Sequence, residues 1–140
     1  MADILIVSDS PEVRAEIRSV LDVKVDVVRE MTSGPDAIAS CRERLPDLVV
    51  SDMQVGSMGG MAICLELRLE ESGGRLGEVP VLLVVDRRPD VFLARRAEAE
   101  GWLVKPLDPI RLRRAIAALL DDGIYEDDSY RPATSAAAPA

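Results

Sequence analysis

Hydrophobic and polar segments alternate regularly along the first 120 residues of the chain. Five short runs rich in Val, Ile and Leu are separated by longer segments in which apolar residues recur at the spacing of one helix face. Residues 4–7 and 81–85 contain no polar side chain, which is typical of strands that are covered on both faces. Strands that alternate with helices in this way predict an α/β fold with a parallel sheet.

The pattern predicts five strands and five helices. The second strand is expected to be less buried than the others, because Val23, Val25 and Val27 alternate with polar residues. Caps such as Ser10-Pro11 and Asp108-Pro109 are typical of helix starts. We expect strands at residues 4–7, 23–27, 48–50, 81–85 and 102–104, and helices at about 11–21, 35–45, 61–69, 89–99 and 109–120.

This count of elements indicates a flavodoxin-like fold, a doubly wound (βα)5 unit with a parallel five-stranded sheet in the strand order 2-1-3-4-5. We predict one folded domain over residues 1–123. After this domain the pattern stops, and an acidic stretch is followed by residues rich in Ala and Pro. We therefore predict that residues 124–140 are a mostly disordered tail.

Composition excludes several classes of protein. The 140 residues carry a net charge of −8 and include no histidine, which excludes Ser-His-Asp hydrolases, Cys-His proteases and histidine-ligated zinc sites. The two cysteines, Cys41 and Cys64, fall in apolar helical patterns, so we expect reduced core residues in a cytoplasmic protein. No apolar stretch approaches the ~18–20 residues of a membrane span, and the N-terminus lacks the features of a signal peptide.

Polar and charged side chains follow the predicted strands. Ser8 and Asp9 come after the first strand, Asp52 ends the third, Asp86 follows the fourth and Lys105 follows the fifth. Because ligands bind outside the carboxyl ends of parallel strands, we expect these side chains at one rim. Oxygen ligands without histidine or cysteine suit Mg²⁺, which would offset the repulsion between Asp9 and Asp52. Asp52 would then be an in-line nucleophile that forms an acyl phosphate, with Lys105 at a phosphoryl oxygen.

At four segments the chain resembles the receiver domain of two-component response regulators, over about residues 3–122. The segments are residues 4–11 (ILIVSDSP), 46–53 (PDLVVSDM), 57–61 (SMGGM) and 102–106 (WLVKP). The resemblance implies that Asp52 accepts a phosphoryl group from a histidine kinase and that Lys105 contacts it. It also implies that Asp9, Asp52 and the backbone carbonyl of Gln54 bind Mg²⁺, and that the Lys105–Pro106 peptide bond is cis.

The chain departs from this family at five positions. Ser8 stands where the family has a second acidic residue, which should weaken Mg²⁺ binding. Val85 lacks the hydroxyl that contacts the phosphoryl group, and Asp86 adds a negative charge that we expect to turn outward or toward the metal. Gly56 replaces a proline, and Trp102 replaces a switching Tyr or Phe. We therefore expect phosphorylation to be possible, with its coupling to the output surface altered or lost.

Residues 87–114 carry eight basic and four acidic side chains in an otherwise acidic chain. They cover the predicted fourth helix, fifth strand and fifth helix, the face that receivers use for partners. We expect either an acidic downstream protein partner or the chain's own acidic tail at this face, and a merely solvated helix surface is the alternative. Direct binding to nucleic acid is not expected, because the whole chain is acidic.

We interpret the sequence as a single-domain response regulator that performs at most its own phosphorylation and dephosphorylation. The alternative keeps the fold without the chemistry, as a degenerate receiver that binds proteins independently of phosphorylation. A flavin protein or a small phosphohydrolase is disfavoured, since no phosphate loop rich in Ser, Thr and Gly and no Asp-x-Asp pair follows the first strand. The chain also contains only four aromatic residues.

Overall fold

Strands and helices alternate through the computed structural model, which describes residues 1–56 and 58–127. Ser57, part of one segment of the resemblance, and residues 128–140 lie outside the described residues. The strands are β1 (Asp3–Val7), β2 (Val27–Met31), β3 (Leu48–Asp52), β4 (Val81–Val85), β5 (Gly101–Val104) and β6 (Tyr125–Glu126). The helices are α1 (Pro11–Ser19), α2 (Gly34–Glu43), α3 (Gly60–Ser72), α4 (Val91–Arg96) and α5 (Pro109–Leu120), with a 3₁₀ turn at Arg88–Asp90.

These six strands form one parallel sheet in the order β2-β1-β3-β4-β5-β6. The predicted flavodoxin-like fold and its strand order are confirmed, and a sixth strand is added beyond β5. The chain moves outward from β1 to β2 and then returns to the other side of β1 for β3. The carboxyl ends of β1 and β3 therefore flank the point where the strand order reverses, which is where open parallel sheets bind ligands.

Two apolar layers cover the two faces of the sheet. Leu5, Val49 and Leu83 point toward α2, α3 and α4, whereas Ile4 and Val50 point toward α1 and α5. Successive strand residues face opposite layers because side chains alternate along a strand, which explains why the central strands are apolar throughout. No helix in residues 1–56 or 58–127 is long and apolar enough to cross a membrane.

The predicted helix starts at Ser10 and Asp108 are confirmed by their capping hydrogen bonds. Ser10 Oγ accepts from the backbone N–H of Val13 at 3.3 Å, and Asp108 Oδ1 accepts from that of Ile110 at 2.8 Å. Both caps are followed by proline at the first helical position, where its missing N–H costs nothing. These caps fix where α1 and α5 leave the loops at the carboxyl edge of the sheet.

The second strand lies later in the chain than predicted. The chain turns at Asp22, whose Oδ1 accepts a hydrogen bond from the backbone N–H of Lys24. Val23 and Val25 are 61% and 53% exposed, so their alternation with polar residues belongs to this turn. The strand begins only at Val27, which pairs with Asp3 of β1. The local side-chain hydrogen bond outweighed the β propensity of valine.

The fourth helix is shorter than the predicted 89–99. It begins at Val91 after the 3₁₀ turn and ends at Arg96. Glu98 takes a left-handed φ of 61°, and the N–H groups of Glu98 and Ala99 donate back to the carbonyls of Arg95 and Ala94. These two bonds form a Schellman-type ending, which closes the helix without the usual glycine.

The predicted tail begins with four residues that the structure describes. Tyr125–Glu126 form β6, which pairs with β5, and Asp127 is 2% exposed. No strand is predicted here from the sequence, because two residues are too few to show a period. The remainder of the predicted tail, residues 128–140, lies outside the described residues.

Candidate functional site at the carboxyl edge of the sheet

Asp52, the last residue of β3, is the centre of the site and is 2% exposed. Its Oδ1 accepts from Lys105 Nζ at 2.9 Å and from the backbone N–H of Gln54 at 3.3 Å. Its Oδ2 accepts from Ser8 Oγ at 3.0 Å. A buried carboxylate requires such partners, since an unpaired buried charge is costly. The loops after β1, β3 and β5 therefore meet at Asp52, as the sequence predicts.

Lys105 bridges two carboxylates. Its Nζ also donates to Asp86 Oδ1 at 2.8 Å. Burial alone lowers the pKa of Lys105, but the hydrogen bonds and charges of Asp86 and Asp52 outweigh burial and raise the pKa above its ordinary value. Lys105 is therefore a fixed cation in the neutral pH range.

The position of Asp86 corrects one expectation. We expected this carboxylate to turn outward or toward a metal, because it would repel a phosphoryl group. It pairs instead with Lys105, and its side chain is 35% exposed. The Coulomb argument considered only the repulsion between anions, whereas the attraction to a nearby ammonium decides the rotamer. The cation that would serve a phosphoryl group is already shared by two carboxylates.

Ser8 is completely buried beside Asp52. Its hydroxyl donates to Asp52 Oδ2 and accepts from the backbone N–H of Ser10 at 3.0 Å. Arg14, which the sequence analysis did not identify, donates from Nη1 to the carbonyl of Ser8 at 2.8 Å and pairs through Nε with Glu30. The serine thus holds the end of β1 against the Asp52 carboxylate through hydrogen bonds, without adding a charge.

Asp9 and Gln54 lie on the exposed side of the site. Asp9 Oδ2 accepts from the backbone N–H of Gly56 at 3.0 Å, so the loop after β1 contacts the loop after β3. No group of three or more His, Cys, Asp or Glu side chains suited to a metal occurs among residues 1–56 and 58–127. The site contains three carboxylates, those of Asp9, Asp52 and Asp86, and the Asp86 carboxylate pairs with Lys105. Ser8 stands where the family resemblance implies a further acidic side chain.

Of the three predicted switch positions, Val85, Asp86 and Trp102, the first and last are buried, whereas Asp86 is exposed. Val85 is 0% exposed, and its carbonyl accepts from the backbone N–H of Lys105 at 2.9 Å. Trp102 is 5% exposed, and the guanidinium of Arg95 lies 5.2 Å from its ring centroid. Among residues 1–56 and 58–127, no group accepts a hydrogen bond from the indole N–H. The implied cis peptide bond before Pro106 is present.

The two cysteines do not extend the site. Both are buried in the apolar layer under α2, α3 and α4, as predicted. Burial raises the pKa of the Cys41 thiol to about 11 and that of Cys64 to about 12. Because the thiolate is the reactive form, both thiols are inert near neutral pH.

A family model covers most of the described chain. A model of the response regulator receiver domain matches residues 4–117. The chain belongs to this family. Receiver domains are signalling modules of two-component systems rather than conventional enzymes, and they are in general phosphorylated and dependent on Mg²⁺.

Known receivers resemble this chain in sequence and in fold. Protein PilH of Pseudomonas aeruginosa is 30% identical over 122 residues, a match that covers 86% of this chain and 98% of PilH. A nitrate/nitrite response regulator homolog of Haemophilus influenzae is 26% identical over 130 residues, and the match covers 91% of this chain but 61% of that protein. The structure of CheY4 of Vibrio cholerae, 24% identical, superposes with a TM-score of 0.74 over 85% of this chain and 98% of CheY4. This receiver thus spans nearly all of some relatives and only part of others.

The basic segment predicted to receive a partner surrounds β5 in the structure. Six of its eight basic side chains are exposed, on α4, α5 and the turn before α4. The other two are Lys105, which pairs with Asp52 and Asp86, and Arg111, which pairs with Asp108 and Asp127. The Arg111–Asp127 pair brings the start of the predicted acidic tail to this segment, which is one of the two occupants expected from the sequence, although the individual pair was not predicted. A partner at this surface stays a prediction.

Proposed function

We propose that this receiver accepts a phosphoryl group on Asp52 from a histidine kinase and passes the signal on through protein contacts. The observation that carries the proposal is the buried Asp52 carboxylate with Lys105 Nζ at 2.9 Å from Oδ1. A nucleophile at a strand end, beside a fixed cation, is the arrangement that phosphoryl transfer needs, because its catalysis rests mainly on positioning and charge.

In the proposed reaction, a carboxylate oxygen of Asp52 attacks the phosphorus of the donor in line with the bond to the leaving group. The bond from phosphorus to the kinase histidine nitrogen breaks, and its electron pair leaves with the histidine. The product is an acyl phosphate on Asp52. The Lys105 ammonium then pairs with a phosphoryl oxygen in place of the Asp52 carboxylate. Its position also depends on the ion pair with Asp86.

The donor set at the edge is suited to Mg²⁺. An ionised carboxylate offers about four lone-pair sites, and Asp52 accepts three hydrogen bonds, which leaves room for one further contact. Asp9, Asp52 and the backbone carbonyl of Gln54 would hold the ion, which would supply positive charge for the phosphoryl oxygens. Ser8 adds no charge to these ligands, so we infer that Mg²⁺ binds more weakly than in a receiver with an acidic residue at position 8.

A degenerate receiver is the second candidate, and it is favoured by the Lys105–Asp86 ion pair. The Asp86 carboxylate already forms an ion pair with Lys105, so it makes the contact with this ammonium that a phosphoryl group would otherwise make. Val85 adds to this, since its side chain has no hydroxyl to bind a phosphoryl oxygen. In this candidate the output surface is held in one state, and partner binding does not depend on phosphorylation.

The proposed output surface is the basic face of α4, β5 and α5, and the proposed partner is acidic. Opposite charge on the two surfaces would speed association and select the partner. Exchange with a histidine kinase and a downstream protein would take place in the cytoplasm. Direct contact with nucleic acid is not part of the proposal.

The proposal is tested with acetyl phosphate as a donor and intact-mass measurement as the readout. The unchanged chain in Mg²⁺ should gain the mass of one phosphoryl group, while the Asp52→Asn variant and the unchanged chain in excess EDTA should not. Retention of the mass gain in Asp52→Asn, or no gain in the unchanged chain, would reject Asp52 as acceptor and leave the degenerate receiver.

A further inference from the structure

The C-terminal segment of the described chain covers the edge of β5. The backbone N–H of Tyr125 donates to the carbonyl of Glu100 at 3.0 Å, and Tyr125 and Glu126 lie beside Gly101 and Trp102 in a parallel register. A Cβ atom on Gly101 would lie 3.0 Å from the carbonyl oxygen of Tyr125. The segment therefore approaches β5 as closely as a sheet strand does.

Asp127 continues this pairing with its side chain. Its Oδ2 accepts from the backbone N–H of Val104 at 2.9 Å, which is an edge donor that β6 is too short to reach with a carbonyl. Its Oδ1 lies 3.4 Å from Arg111 Nη1. Because Asp127 is 2% exposed, Val104 N–H and Arg111 form a buried binding site for its carboxylate at the end of β5.

Residues 124–127, which cover the edge of β5, contribute only a short strand to the sheet. β6 contains two residues, of which Tyr125 packs partly buried against the apolar layer under α1 and α5. The apolar side chain before it, Ile124, is 69% exposed. The segment leaves α5 through Asp122, which takes a left-handed φ of 59°, and Gly123. A two-residue strand at the edge of a sheet has few backbone hydrogen bonds to lose, so we expect it to open locally more often than the central strands.

We propose that the β5 edge is a docking site for an extended acidic segment of a partner protein. That segment adds to the sheet as a parallel strand and places a carboxylate on the Val104 N–H and on Arg111, where the chain's own residues 124–127 otherwise lie. Strand addition of this kind gives affinity through backbone hydrogen bonds and specificity through individual side chains. The inference does not depend on the proposed phosphoryl transfer, but it rests on the acidic partner proposed for the surface of α4, β5 and α5.

Charge at the surface favours an acidic occupant. The helices that flank β5 and the turn before α4 expose six arginines, and the described segment that occupies the edge carries two acidic residues, Glu126 and Asp127. An acidic peptide would therefore be attracted over a distance of about one Debye length, roughly 8–10 Å, before it pairs. The exposed arginines are Arg87, Arg88, Arg95, Arg96, Arg113 and Arg114.

The test measures binding of a fluorescent synthetic peptide with the sequence of residues 121–128 (DDGIYEDD) to three chains. The chains are the full protein, a chain ending at residue 127 and a chain ending at residue 123. The last should bind the peptide about tenfold more tightly than the other two, because only its edge is vacant. A peptide with Asn in place of Asp127 should bind that chain about tenfold more weakly.

A second variant keeps the test decisive if the shortened chain does not fold. In the full chain, Asp127→Asn should speed hydrogen exchange at the Val104 amide about tenfold and tighten binding of the unmodified peptide severalfold. The matched control is Glu126→Gln, which removes the same charge from the neighbouring residue and should leave Val104 exchange unchanged. Equal peptide affinity for all three chains, or no acceleration of exchange at Val104 in Asp127→Asn, would overturn the proposal.

Discussion

Lys105 Nζ lies 2.9 Å from Asp52 Oδ1, although the two residues are 53 positions apart in the chain. Adjacent parallel strands bring them together, since β3 and β5 both flank β4 and end at the same edge. The same ammonium lies 2.8 Å from Asp86 Oδ1. We therefore expect the reactivity of the site to depend on how the Lys105 ammonium is divided between the carboxylates of Asp52 and Asp86.

Removal of Asp86 should speed phosphorylation. Asp86→Ala frees Lys105 for the phosphoryl group and removes a negative charge that repels the donor, so the rate with acetyl phosphate should rise about two- to tenfold. The rate is measured by intact mass against time. Glu43→Ala, which removes the same charge from an exposed position at the C-terminus of α2, is the control and should react like the unchanged chain. An unchanged or slower rate in Asp86→Ala would show that Asp86 assists the reaction.

An acidic residue at position 8 should strengthen the metal site. Ser8→Asp places a second carboxylate against the buried Asp52, so without metal the variant should be less stable by about 1–3 kcal/mol. Mg²⁺ should relieve this repulsion and raise the melting temperature of the variant more than that of the unchanged chain. Ser8→Ala is the control, because it loses the hydrogen bond to Asp52 without adding charge. Equal responses to Mg²⁺ in all three proteins would place the ion elsewhere.

A hydroxyl at position 85 should restore coupling between the site and Trp102. Val85→Thr keeps the side-chain shape and supplies a donor for a phosphoryl oxygen, at a cost of about 1–2 kcal/mol in the unphosphorylated protein for a buried hydroxyl. Trp102 is the only tryptophan, so its fluorescence reports the change directly. We expect acetyl phosphate to alter the emission in Val85→Thr and not in the unchanged chain. Val81→Thr, the same substitution at the other end of β4, controls for burial of a hydroxyl, and a fluorescence response there as well would contradict the account.

The ion pairs of Lys105 should make stability depend on alkaline pH. Because the pKa of Lys105 is raised in the folded protein, its contribution is complete below the ordinary pKa of 10.5 and is lost as the pH rises through the folded value. Lys105→Met should therefore be less stable than the unchanged chain by about 1–3 kcal/mol at neutral pH, with the difference shrinking above pH 10.5. Urea unfolding across this range measures the difference, with Lys24→Met as the control at an exposed lysine. A difference that stays constant with pH would contradict the ion-pair explanation.

Much of the fold could be predicted from sequence because its signals are local. The runs before Ser8 and around Leu83 are apolar enough to be read as buried parallel strands, and Ser10 and Asp108 mark two helix starts. The convergence of Asp52 and Lys105 also followed from topology alone, since neighbouring parallel strands must end at the same edge.

The features that were missed depend on contacts that are distant in sequence or too short to show a period. Val23 and Val25 alternate with polar residues like strand residues, but they lie in a turn in which the Lys24 N–H donates to Asp22. β6 has no pattern of its own, and it pairs with β5 at an edge where the Val104 N–H donates to Asp127 in the following position. The direction of Asp86 depends on the exact position of the Lys105 ammonium, which no sequence motif specifies.

The most direct test of the central claim is identification of the phosphorylated residue. The protein is treated with acetyl phosphate in Mg²⁺, the acyl phosphate is reduced with borohydride to homoserine, and the position is found by peptide mass spectrometry. The account predicts homoserine at position 52 and none in the Asp52→Asn variant. Homoserine at Asp9 or Asp86 instead, or at no position, would contradict the assignment of Asp52 as the acceptor.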